Sequence, residues 1–140
     1  KKYHLKKFKL LSNNDVIFKD NDYTQKNIRI QKSPIIKTNK HNDIEEVRIN
    51  IGAMGTLDIN PKIMNNFYEA YVLFYKQLHS KKFQIEFKLK AGDIFCFDNR
   101  RVLHGRKEFD PNSGNRHLQG YYIEKEEIKS KLNYIHKIKF

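Results

Sequence analysis

Cysteine is nearly missing from this sequence: Cys96 is the single one among 140 residues, so no internal disulfide can staple the fold. Long apolar runs are missing too, the longest falling well short of the ~20 residues that a membrane-spanning helix requires. The opening stretch KKYHLKKFKL lacks the sustained apolar core of a secretory signal, and the expectation is a reducing, soluble, cytoplasmic setting. Acidic residues are scarce beside basic ones, 16 Asp plus Glu against 28 Lys plus Arg, a formal charge of +12. Such an excess suits phosphate backbones. Here it is spread along the chain and is mostly Lys among many Asn and Ile, which reads as compositional bias at solvated positions. Neither a nucleic acid nor a membrane is expected as a partner.

What is present argues for a folded unit. Ten Phe and eight Tyr, within 39% hydrophobic residues, supply one core where a disordered chain of this charge would lack it. The length allows one domain or a piece of one. No repeat or linker divides residues 1–140, and a chain opening on Lys1 rather than Met is expected to be processed or a fragment.

From residue 8 to 51 the pattern is short and β-like, with Val16-Ile17-Phe18, Ile28-Arg29-Ile30, Ile35-Ile36 and Val47-Arg48-Ile49-Asn50-Ile51 separated by Asn/Asp clusters. Gly52-Ala53-Met54-Gly55 then permits close approach by another chain or a ligand. Asn60-Pro61 reads as a cap and first-turn proline, and Ile63, Phe67, Tyr71, Phe74 and Leu78 recur at helical spacing, predicting a helix over 61–79 that packs on a sheet. Alternation of Phe83, Ile85, Phe87 and Leu89 predicts a strand with one buried face, followed by a buried run Ile94-Phe95-Cys96-Phe97 in which Cys96 is a packed thiol. Short strands at 102–105 and 116–123 and a helix over 124–138 complete the reading.

The stretch 91–122 carries the chemistry. His104 ends a short strand and Arg116 follows twelve positions later, across a turn rich in Pro, Asn and Gly. That spacing lets two strands of one sheet aim an imidazole and a guanidinium into one cavity. A neutral imidazole suits a first-row metal, and the planar fork of Arg suits a carboxylate. Together they describe a site for a metal and an acidic cosubstrate.

Val47-Arg48-Ile49-Asn50, Phe67-Tyr68, Gly92-Asp93, Phe97-Asp98-Asn99, Leu103-His104-Gly105-Arg106 and Arg116-His117-Leu118-x-Gly120-x-Tyr122 resemble the C-terminal part of the gamma-butyrobetaine and trimethyllysine dioxygenase family, relatives of taurine dioxygenase. The likeness extends over nearly the whole chain. It implies a mainly β fold with flanking helices, the C-terminal part of a double-stranded β-helix (jelly roll). It also implies an iron(II)- and 2-oxoglutarate-dependent enzyme that uses O2 to hydroxylate a small molecule of the gamma-butyrobetaine type in carnitine biosynthesis. His104 would be the distal histidine of the iron triad, Arg116 the anchor of the 2-oxoglutarate carboxylate, and Tyr122 part of an aromatic enclosure for a trimethylammonium group, which cannot donate hydrogen bonds. Asn50 aligns with the substrate region, but Gly52 and Ala53 stand where the family has polar Asn residues. The resemblance also admits ascorbate as a supporting reductant and a homodimer as the assembly.

The triad further needs a His-x-Asp pair, and the sequence has one, His41-Asn42-Asp43, about sixty residues before His104. Its neighbours have turn composition, which favours a solvated loop over a metal pocket. The reading is therefore a C-terminal half whose other two ligands lie on residues not in this chain. His4, His79 and His136 are expected to be exposed, and His117 to face away from the cosubstrate. Arg100, Arg101 and Arg106 either position acidic groups or are surface charges. Two alternatives stay open: a dioxygenase for another small acid or amine, and a noncatalytic β-sandwich binding module.

Overall fold

The computed structural model describes residues 4–22, 26–108, 110, 112, 114 and 117–136. It divides into two compact units, Lys1–Gly105 and Arg106–Phe140.

The first unit begins with helix α1 (Leu5–Asn13), where the sequence reading has β-like structure from residue 8. Leu and Lys are good helix formers, and a helix brings Phe8 and Leu11 onto one face, with Leu11 buried. Asn14 closes it by donating its side-chain amide to the Leu10 carbonyl at 2.9 Å. Strands β1 (Asp15–Asp22) and β2 (Asn27–Pro34) form an antiparallel hairpin in the register Asp15↔Pro34 to Asp22↔Asn27. Strands β3 (Ile36–Thr38) and β4 (Ile44–Val47) form a second, with Ile36 opposite Val47 and Lys37 opposite Glu46. The strand expected at 47–51 thus lies earlier, ending at Val47.

The segment after β4 folds back on β1. Lys19 donates its N–H to the Ala53 carbonyl (2.7 Å) and Gly55 donates to Ile17 (2.8 Å). A Cβ on Gly55 would sit 3.2 Å from the Ile17 Cγ2, so the small residues at 52–55 admit a strand of the same chain.

Helix α2 (Pro61–Leu78) is where the sequence places it. The Asn60 side chain accepts the Lys62 N–H at 2.9 Å, and Pro61 occupies the first turn, where a missing N–H costs nothing. Phe67 is 0% exposed and, with Ala70, meets Leu11, Val16, Ile35, Ile36 and Ile59 in the core. Ile63, Tyr71 and Phe74 flank that cluster, so the aromatic stripe faces the core, but the element that α2 chiefly packs on is helix α1 and not the expected sheet. α1 lies against α2, with Lys7 and Glu69 paired at 3.0 Å on the exposed side.

Beyond a single 3-10 turn at Lys81–Phe83, residues 84–108 form neither helix nor strand. The strands expected at 83–89, 94–97 and 102–105 are not formed, and none is formed by the described residues of 116–123. Ile85 is 89% exposed and Ile94 95%. A strand exists only when a neighbour takes up its N–H and C=O groups, and the described residues offer these segments no such neighbour. Cys96 is correspondingly exposed, correcting the packed thiol. In the second unit, helix α3 (Lys125–His136) forms within the expected 124–138. No described helix is long and apolar enough to cross a membrane.

Candidate functional site

His104 closes a row of rings. Phe87 meets Phe95 at 4.9 Å between centroids, Phe95 meets Phe97 at 5.0 Å, and Phe97 meets the His104 imidazole at 4.6 Å. Phe95 and Phe97 are two residues apart, so an extended backbone projects both to the same side. The imidazole is therefore held by an aromatic face, and it is solvent-exposed.

The turn that delivers His104 is built by Asp98. Its carboxylate accepts the Arg100 N–H (2.9 Å) and its carbonyl accepts those of Arg101 and Val102 (3.0 and 3.1 Å). This turn is fastened to β4: the Val47 N–H donates to the Arg100 carbonyl at 2.8 Å, and Arg100 Nη1 donates to Glu46 Oε1 at 3.3 Å. Arg100 thus positions an acidic group, as one of its two readings has it, and that group is Glu46.

Glu46 was not a candidate from sequence. Its side chain is 7% exposed and receives Arg48 through Nε (3.1 Å) and Nη2 (2.9 Å) on one oxygen, and Lys37 Nζ (3.2 Å) and Arg100 on the other. Burial pushes this carboxyl up, but the hydrogen bonds and positive charges of Arg48 and Lys37 together outweigh it and hold it below the ordinary carboxylate value. The signal in the sequence was the Glu46-x-Arg48 spacing, which puts opposite charges on one face of an extended segment.

Asn50 follows β4 by three residues and organises the next turn. Its carbonyl accepts the Ala53 and Met54 N–H groups (3.0 and 2.9 Å), and its side-chain oxygen accepts that of Gly52 at 3.1 Å. With that oxygen engaged, what the exposed Asn50 side chain offers a ligand is its amide NH2.

Arg116 lies outside the described residues. Tyr122 belongs to the second unit and is 79% exposed. His41 and Asp43 sit in the exposed turn between β3 and β4, where the Asn39 side-chain oxygen accepts both their backbone N–H groups (2.8 and 2.9 Å). That is a hydrogen-bonded loop, as expected. His4, His79, His117 and His136 are exposed. A cavity of about 270 Å³ beside Asn13, Asp15, Lys32 and Asp58 contains no candidate residue.

Among the described residues no group of three His, Cys, Asp or Glu side chains converges as a metal site. His104 brings one imidazole, so these residues alone do not complete an iron triad.

Over 100 residues the chain is 35% identical to the gamma-butyrobetaine dioxygenase of Pseudomonas sp. (strain AK-1), covering 71% of this chain and 26% of that protein. It is 30% identical over 135 residues to the gamma-butyrobetaine dioxygenase of Homo sapiens, 94% of this chain and 35% of that one. With the trimethyllysine dioxygenase of Meyerozyma guilliermondii the identity is 31% over 102 residues, 71% of this chain and 25% of the relative. The chain thus spans between a quarter and about a third of the length of these relatives. The model of the taurine catabolism dioxygenase TauD, TfdA family matches residues 2–122, a stretch that holds Glu46, Asn50, His104, Arg116 and Tyr122, and the chain belongs to that family.

Proposed function

We propose that this chain is part of an iron(II)- and 2-oxoglutarate-dependent dioxygenase that hydroxylates a small trimethylammonium acid of the gamma-butyrobetaine type, the carnitine-forming reaction. The family match over residues 2–122 carries the reading. In the complete protein His104 contributes one metal-binding imidazole, and the second histidine and the carboxylate come from residues outside this chain. The same residues complete the double-stranded β-helix by pairing with segments such as 84–97. Iron and 2-oxoglutarate supply the oxidising chemistry when bound, while the protein sets orientation and shields the reaction. Arg116 holds the 2-oxoglutarate carboxylate through its two-pronged guanidinium. Asn50 offers an amide donor to the substrate carboxylate, and Tyr122 offers a ring face to the cationic end.

Gly52 and Ala53 favour a second substrate within the same reaction class. Side chains that could donate to a carboxylate are absent there, which weakens the grip on an acid end and leaves room for another small acid or amine. The full-length protein decides between them when supplied with iron(II), ascorbate and 2-oxoglutarate. Succinate formed with gamma-butyrobetaine supports the first reading. Succinate formed only with another amine or acid keeps the reaction and replaces the substrate. No succinate with any of them, from protein in which His104→Ala also changes nothing, overturns the dioxygenase.

A further inference from the structure

Asn50 and His104 are 54 positions apart in the chain, yet both leave from one joint. β4 ends at Val47 and runs within three residues into the Asn50 turn, while the Asp98 turn passes through Arg100 and reaches His104 four residues later. Between them lie two independent ties, the Val47 N–H on the Arg100 carbonyl at 2.8 Å and the Arg100 guanidinium on Glu46 at 3.3 Å. Glu46 is in turn held by Arg48 just past β4 and by Lys37 of β3, so its place does not depend on Arg100 alone. Arg48 is anchored separately, donating its N–H to the Ile35 carbonyl at 2.8 Å and a guanidinium N–H to the Gln31 side chain of β2.

We propose that Arg100 and Glu46 are positioning residues, a joint that sets the Asn50 turn at a fixed separation from the His104 turn and thereby holds substrate where the oxidant forms. The proposal rests on the site reading above. Neither residue touches substrate. Two segments joined by one backbone hydrogen bond can pivot about it, and a second tie through a side chain removes that pivot. Losing the guanidinium loosens the relation between two turns without dismantling the core, because the half-exposed Arg100 side chain is not part of the buried cluster around Phe67.

The test uses the full-length protein with Arg100→Ala, Arg100→Lys and Glu46→Gln. Hydrogen exchange is followed at Val47, at Ala53 and Met54 in one turn, and at Arg101 and Val102 in the other. Succinate and hydroxylated product are counted side by side. Arg100→Ala and Glu46→Gln are expected to speed exchange in both turns by about tenfold, as expected for a loosened local unit. They are also expected to raise severalfold the share of 2-oxoglutarate consumed without product. Arg100→Lys, which keeps a cation near Glu46, restores part of both. Unchanged exchange in the two turns overturns the joint. Faster exchange with an unaltered product-to-succinate ratio also overturns the proposal, leaving the pair a purely structural tie. A wild-type protein that makes no succinate at all counts instead against the dioxygenase, and the exchange rates then judge the joint by themselves.

Discussion

Glu46 shows what one buried carboxylate does among three cations. Its folded-state carboxyl titrates below the unfolded value near 4.5, so its contribution to stability is complete above that value and is lost as pH falls through the folded one. A hydrogen bond to a charged group is worth about 1.5–3 kcal/mol, lessened here because Lys37 and Arg100 are half-exposed and because Gln keeps one acceptor oxygen, so Glu46→Gln is expected to cost about 1–2 kcal/mol at neutral pH. Urea unfolding at neutral and at acid pH checks this: the gap between wild type and variant closes on acidification, and a gap that persists assigns the stabilisation to shape. At Tyr122 the ring, not the hydroxyl, is the proposed contact. Tyr122→Phe is then expected to keep the KM for a trimethylammonium substrate, while Tyr122→Ala raises it roughly tenfold to thirtyfold, as a desolvated cation–ring contact of about 2 kcal/mol requires. Equal losses in both variants would put the hydroxyl in the role. The family string around His104 was legible because such a string is made of neighbours in sequence. Glu46 was overlooked because its partners come from three separate segments.

α2 is the element whose existence rests on local information. A capping Asn, a first-turn proline and an apolar repeat all fall within one segment, and the helix runs from Pro61 to Leu78. Phe67→Ala should destabilise the first unit by about 3–5 kcal/mol, since the ring is fully buried and its removal leaves a cavity under Val16 and Ile35. Asn60→Ala should cost only about 1 kcal/mol, and Asn60→Asp close to nothing, because either carbonyl-type oxygen accepts the Lys62 N–H. Thermal unfolding of the three variants orders them. A milder loss at Phe67 than at Asn60 would mean that the helix depends on its cap more than on its packing. The strand expected at 83–89 has a pattern as regular as that of α2 and forms no ladder. A helix satisfies its own backbone, whereas a strand depends on a second one, and alternation says which face is apolar without saying what covers it.

At the scale of the molecule, residues 84–97 present apolar surface to solvent. Ile85, Phe87, Ile94 and Phe95 are exposed in a chain that spans a quarter to about a third of its relatives. Backbone amides of 84–97 are expected to exchange rapidly in the 140-residue chain and to become at least a hundredfold slower in the full-length protein, whereas those around Phe67 stay slow in both. Equal rates in the two proteins would remove the idea that these segments are strands awaiting partners. What depends on neighbours along the chain could be read from the residues alone: α2 and its cap, the family string around His104, and the loop nature of 39–43. Contacts across the fold set the rest: Gly55 makes room for Ile17, Glu46 gathers Lys37 of β3, Arg48 just past β4 and Arg100 of the Asp98 turn, and a Val47–Arg100 hydrogen bond ties the segments that lead to Asn50 and His104. Those relations are made by hydrogen bonds and charges between segments far apart in sequence, and no local pattern of residue types encodes which segment will meet which.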